Sequence, residues 1–149
     1  MRALLQRVTS ARVEVGTQVV GSIGPGLLVL LGLDKGDDEE AAARMLDKLL
    51  AYRVFADDQG RMNRSVTDTG GGVLLISQFT LSADTRKGLR PSFSSALPPG
   101  EAERLYDHML AELRARHGEV AAGVFGADMQ VSLTNDGPVT FLLESQGAR

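Results

Sequence analysis

GPGLLVLLG, residues 24–32, is the stretch on which the architecture turns. Gly24-Pro25-Gly26 is a turn signal, and Leu27-Leu28-Val29-Leu30-Leu31 follows without a polar break. A strand with one solvated face would alternate apolar and polar residues. An unbroken run instead suits a central strand covered on both faces. A second run of this kind, Val73-Leu74-Leu75-Ile76, opens after the glycines at 70–72.

Around these two runs the chain reads as further strands and two helices. Residues 3–15 form a strand rich in Leu and Val, with Val8, Val13 and Val15 among its β-branched positions. Gly16-Thr17 turns it into a second strand through Val19, Val20 and Ile23. A helix is expected over about 38–52, where Ala42, Met45, Leu46, Leu49 and Leu50 make one stripe and Asp37 or Asp38 caps the start. Another is expected over about 100–116, with Ala102, Leu105, Tyr106, Met109, Leu110 and Leu113 as its stripe. Pro98-Pro99 precedes that helix and Gly118 ends it. Near the end, Met129, Val131 and Leu133 alternate with Gln130 and Ser132, and Val139, Phe141 and Leu143 alternate in the same way. TNDGPVTF, residues 134–141, lies between them and reads as a hairpin turn, although Pro138 stands where the returning strand needs an N–H. The fold class is therefore α/β: one domain over residues 1–149, a mixed, strand-rich sheet, and two main helices packed on one side.

Composition narrows the chemistry. The 149 residues are 43% hydrophobic and 23% charged, ordinary values for a globular chain. Zero cysteines exclude disulfides, thiolate metal sites and thiol nucleophiles together. No apolar run is long enough for a membrane span, and the apolar part of Met1–Arg7 is too short for a secretory signal, so a cytoplasmic protein with no membrane partner is expected. The net charge of −3 gives no general attraction to nucleic acid. Cations gather locally, however, at Arg86, Lys87 and Arg90, which are candidates for phosphate contact.

The usual catalytic constellations are thin. There is no GxxxxGK[ST] loop, and Gly21-Ser22-Ile23-Gly24-Pro25-Gly26 lacks the dinucleotide spacing. His108 and His117 are the only histidines and project to opposite sides of a helix, so neither a shared metal nor a Ser-His-Asp triad is expected. No metal or cofactor is called for. What remains is the polar break where the run ending at Ile76 gives way to Ser77, Gln78 and Thr80. Sheets of this class place ligands at such strand exits. Backbone N–H groups of Phe79 and Thr80 could there face an oxyanion, or the segment is simply a strand end with alternating polar side chains.

Ser77-Gln78-Phe79-Thr80-Leu81 followed by Asn135-Asp136-Gly137-Pro138-Val139-Thr140 resembles the paired signature of the D-aminoacyl-tRNA deacylases. The similarity extends to Gln6-Arg7-Val8, Gly24-Pro25-Gly26, Lys87-Gly88-Leu89-Arg90-Pro91-Ser92-Phe93 and Phe125-Gly126-Ala127-Asp128-Met129. The resemblance implies a homodimer that hydrolyses the ester between a D-amino acid and the 3′ end of tRNA. It further implies that Gly137-Pro138 has a cis bond and enters the active site of the other subunit, a pocket lined by Ser77 to Thr80. Two main-chain carbonyls would then hold the α-ammonium and exclude L side chains by collision, and glycyl-tRNA would escape the exclusion. Arg7 is implied as the support of that turn, and Met129 as a further lining residue. Thr80 is either the nucleophile or a positioning group beside a tRNA 2′-hydroxyl that assists water; no His or Lys in the motif would activate its hydroxyl. The competing readings are a binding module for tRNA without turnover and a general esterase using Thr80 or Ser77.

Overall fold

The structure is a computed structural model that describes residues 1–145. Among these described residues, eight strands and three α-helices run in the order β1 (Arg2–Val15), β2 (Gln18–Ile23), β3 (Gly26–Gly32), α1 (Glu39–Ala51), β4 (Phe55–Ala56), β5 (Met62–Arg64), α2 (Val66–Thr69), β6 (Gly72–Ser77), α3 (Pro99–Arg116), β7 (Val120–Ala122) and β8 (Gln130–Glu144). The main sheet has the order β2-β1-β3-β6-β7, with β8 added on β1. It is mixed: β1 is antiparallel to β2, β3 and β8, while β3–β6 and β6–β7 are parallel. β4 and β5 form a separate small hairpin.

The two unbroken apolar runs lie side by side at the sheet centre, pairing from Leu27↔Val73 to Leu30↔Ile76. Alternation sends their side chains to opposite faces. Leu27, Val29, Leu31, Val73 and Leu75 join the core beneath the helices. Leu28, Leu74 and Ile76 join a second cluster with Val8, Val13 and Ile23, inside the curl of the sheet. Both faces are thus covered, the physical reason that neither run tolerates a polar residue. The strands start in close contact, since a Cβ on Gly26 would lie 2.0 Å from the Gly72 carbonyl oxygen.

The helices pack on one side of the sheet. Ala42, Met45, Leu46, Leu49 and Leu50 of α1 and Ala102, Leu105, Tyr106, Met109 and Leu113 of α3 are buried, as their spacing predicts. Asp38 is the α1 cap, accepting from the Ala41 N–H at 2.8 Å. Asp37 is engaged elsewhere, 2.9 Å from the Met1 ammonium. Pro99 opens α3 as part of its first turn, and His117 rather than Gly118 is its C-cap.

The end of the chain differs from the expected hairpin. Residues 130–144 form one strand whose two halves both pair with β1: Glu14↔Gln130 to Val8↔Asn135, then Gln6↔Thr140 to Arg2↔Glu144. The chain never reverses. Arg7 alone on β1 lies between those two registers, and Asp136, Gly137, Pro138 and Val139 bulge out opposite it. The turn residues are real; their work is to throw a short loop out of a continuing strand.

Candidate active site

β6 ends at Ser77, and a 3-10 turn follows at Phe79–Ser82. Gln78 is anchored between them by its N–H to the Leu31 carbonyl at 2.7 Å. The turn's internal bonding starts at Leu81, whose N–H reaches the Gln78 carbonyl at 3.1 Å. The N–H groups of Phe79 and Thr80, at the start of the turn, therefore have no partner within it. The Gln78 carboxamide donates to the Thr80 hydroxyl oxygen. That bond takes up one lone pair of the oxygen and leaves its proton to donate outward.

This strand exit opens into a cavity of about 600 Å³. Ser77, Gln78, Phe79 and Met129 line it, together with Phe93, Ala96 to Pro99, Phe125, Gly126, Ala127 and Val131. Thr80 is not in the lining, contrary to the pocket expected over Ser77 to Thr80. Phe79 is largely exposed, and its ring centroid stands 5.1 Å from that of Phe93. The wall is mostly apolar, with polar groups concentrated at the β6 exit, the usual make-up of a small-molecule site. Phe93 and Phe125 escape a reading by spacing, because a lone aromatic in a loop carries no period. The similarity of 87–93 and 125–129 to family segments is the signal that marks them.

The loop carrying Phe93 is clamped at both ends. Asp84 and Ser92 exchange backbone bonds of 2.7 and 3.0 Å, and the Ser95 hydroxyl donates to the Ser82 carbonyl at 2.9 Å. Arg86 makes a two-pronged contact with Asp84, at 3.0 Å from Nε and 2.9 Å from Nη2. Those hydrogen bonds hold the Asp84 carboxyl down at about 2, so Arg86 keeps a charged partner at neutral pH. Among the described residues no ion pair involves Lys87 or Arg90, and Leu89 between them is fully exposed.

Arg7 and the Gly137-Pro138 turn form a second group, outside the lining of that cavity. The Arg7 Nε donates to the Asp136 carbonyl at 2.9 Å, and Nη1 donates to the Val54 carbonyl at 2.7 Å. The Asp136 carboxylate lies 3.5 Å from the same Nε. The Gly137–Pro138 bond is cis. Gly137 has φ +148°, and a Cβ there would stand 2.7 Å from the Val139 nitrogen and 2.5 Å from its side chain. Only glycine fits.

The remaining titratable groups lie elsewhere. His108 faces Glu39 at 3.7 Å, and the His117 Nε2 is 2.6 Å from the Gly71 carbonyl oxygen. The Tyr106 hydroxyl donates to the Leu75 carbonyl at 2.8 Å, and burial, aided by Asp107, pushes its pKa up to about 12. Among the described residues no group of three or more His, Asp or Glu is placed to hold a metal ion. No helix among them is long and apolar enough to cross a membrane.

A largely apolar cavity at a strand exit, with its polar groups gathered at Ser77 and Gln78, is the kind of place where sheets of this class hold a small ligand. The family described as D-Tyr-tRNA(Tyr) deacylase matches residues 4–144. D-aminoacyl-tRNA deacylases of Stutzerimonas stutzeri and Pseudomonas aeruginosa are 64% and 63% identical over 145 residues, covering 97% of this chain and 100% of each relative. A solved structure of a c-Myc DNA Unwinding Element Binding Protein, 42% identical, superposes with a TM-score of 0.94 over 99% of this chain and all of that one. A probable eukaryotic D-amino acid tRNA deacylase shares the fold at 18% identity, with a TM-score of 0.81 over 95% of this chain and 97% of its own. The chain belongs to the D-Tyr-tRNA(Tyr) deacylase family. Its activity is hydrolysis of D-aminoacyl-tRNA, a step of translation quality control.

Proposed function

We propose that this deacylase tells a D-amino acid from its mirror image with the Gly137-Pro138 turn of one protomer seated in the Ser77–Met129 cavity of a second. The observation that carries the reading is a separation within one chain. The turn bulges from β8 opposite Arg7, and none of residues 135–139 is in the cavity lining, to which β8 contributes Val131 alone. On either side of the turn β8 leaves Val131, Leu133 and Leu142 exposed, apolar area that suits a homodimer.

In this arrangement the Gly137 and Pro138 carbonyls accept hydrogen bonds from the α-ammonium and hold the substrate Cα against main chain. An L side chain collides with that main chain, whereas a D side chain points to open space. Arg7 supports the turn through the Asp136 carbonyl. Glycine has nothing to collide, so glycyl-tRNA is also a substrate. The phosphates of the tRNA 3′ end meet Lys87 and Arg90, and Arg86 contributes less because Asp84 already neutralises it. The enzyme works in the cytoplasm.

Hydrolysis proceeds by attack of water on the ester carbonyl. The new bond is water oxygen to carbonyl carbon, the bond to the ribose 3′ oxygen breaks, and that oxygen leaves with a proton. The Phe79 and Thr80 N–H groups stabilise the oxyanion, with Ser77 and Gln78 shaping the approach. The neighbouring 2′-hydroxyl assists the water. Thr80 positions rather than attacks: its oxygen accepts from Gln78, and a nucleophilic hydroxyl needs an adjacent base.

Release of amino acid from D-tyrosyl-, L-tyrosyl-, L-alanyl- and glycyl-tRNA, with sedimentation of the protein, tests the reading. D-tyrosyl and glycyl esters should turn over about 100-fold or more faster than L esters, in a dimer. Equal resistance of glycyl and L-alanyl esters, or a fully active monomer, overturns it. Substrate lacking the 2′-hydroxyl should be slow. Free D-aminoacyl methyl esters should be poor substrates, because the RNA body supplies the binding that fixes the reacting end.

A further inference from the structure

The bulge at 136–139 has a brace that neither the cavity nor Arg7 explains. Asn135 is the last residue paired with β1 before the strand departs from it, and Thr140 is the first after it returns. The Asn135 carboxamide spans that gap. Its Oδ1 accepts the Val139 N–H at 2.7 Å; its Nδ2 donates to the Thr140 hydroxyl at 2.9 Å and to the Val139 carbonyl at 3.3 Å. One short side chain thus receives from the outgoing end of the loop and donates to it. Among short side chains only asparagine combines an acceptor oxygen with an NH2 donor. Aspartate keeps the acceptor and loses the donor, while alanine loses both.

We propose that Asn135 is a positioning residue for substrate discrimination: its carboxamide closes the base of the Asp136–Val139 loop and fixes where the Gly137 and Pro138 carbonyls point. Arg7 holds the incoming side of the loop at the Asp136 carbonyl, and Asn135 holds the outgoing side at Val139. The two clamps approach from different directions, Arg7 across the sheet and Asn135 along its own strand. With one clamp gone the loop pivots about the other. Carbonyls that swing admit an L side chain as readily as they misplace a D one, so selectivity falls together with rate. A residue that merely stabilised the fold would lower the amount of active enzyme and leave the ratio of D to L hydrolysis where it was.

This inference rests on the proposed role of the Gly137-Pro138 turn, and the experiment separates the two. Initial rates on D-tyrosyl- and L-tyrosyl-tRNA are measured for wild type, Asn135→Ala, Asn135→Asp, Thr140→Val and Gly137→Ala, with the melting temperature of each. Asn135→Ala should lower D-ester kcat/KM by about 100-fold and shrink the D-to-L ratio by about tenfold. Asn135→Asp, which keeps the acceptor for the Val139 N–H but sets a carboxylate oxygen against the Val139 carbonyl, should recover only part of that loss. Thr140→Val, which removes one partner of Nδ2, should cost only a few-fold. If Asn135→Ala loses rate with an unchanged D-to-L ratio, or keeps both rate and ratio, the positioning role is overturned. If Gly137→Ala keeps full selectivity, the proposed role of the turn fails instead; if it collapses while Asn135→Ala does not, only the role of Asn135 fails.

Discussion

The β3–β6 pair and the β1–β8 pair are the two halves of this molecule, and they are built on opposite terms. β3 and β6 run parallel, bury both faces, and carry almost nothing but Leu, Val and Ile. β8 runs antiparallel to β1 with much of its side-chain surface exposed, and it breaks register where the conspicuous residues of the chain stand. The first pair is held by apolar burial, which is non-directional. The loop in the second is held by individually aimed hydrogen bonds from Arg7 and Asn135. Substitution in the one should therefore cost stability with chemistry intact, and substitution in the other should cost chemistry with stability intact.

The largest effect should come from Leu75→Ala, which empties a fully buried site at the sheet centre. A loss of about 2–5 kcal/mol is expected, seen in denaturant unfolding, with activity per folded molecule nearly unchanged. Next is Gly137→Ala, where the new methyl has neither the space nor the backbone angle it needs. D-ester hydrolysis should fall by about 100-fold, near 2.7 kcal/mol on the barrier, with a smaller loss of stability than Leu75→Ala because the strain can be relieved within the loop. A large drop in melting temperature there would break the contrast between the two pairs.

Arg7→Lys sharpens the same contrast. A lysine keeps the charge but cannot reach the Asp136 and Val54 carbonyls together, so about a tenfold loss of kcat/KM is expected in steady-state assays. Smallest should be the double change Lys87→Ala with Arg90→Ala. A rise in KM of about threefold at low salt, vanishing at high salt, would mark a screened phosphate contact. If kcat fell instead, the loop would be acting on the reacting end.

Much of the β3–β6 half was legible in the sequence, because burial on two faces leaves an unbroken apolar run that no other environment produces so readily. The helical stripes of α1 and α3 were legible for a similar reason. The β8 half was not. Asn135-Asp136-Gly137 carries the local signals of a hairpin, and what decides between a hairpin and a bulge is whether residues 139–144 find β1 or their own preceding strand. That choice is non-local, and nothing between 134 and 141 encodes it. Val131 and Leu133 alternate with polar neighbours, yet both are exposed. β7 and the β4–β5 hairpin were missed because two or three residues are too few to display a period. The cavity was half legible. The abrupt polarity after Ile76 marked Ser77, Gln78 and Thr80, of which Thr80 is not in the lining, whereas Phe93 and Phe125 come from loops that topology brings together.

The strand that resumes after the bulge has a consequence for how such a protein can change over time. Both halves of β8 are registered on β1 independently, so residues added or removed between Asn135 and Thr140 would not slide either half along its partner. The register of the scaffold does not depend on how many residues sit at the tip. If the turn discriminates as proposed, changes at those few positions would retune what is admitted and what is refused without renegotiating the register beneath them.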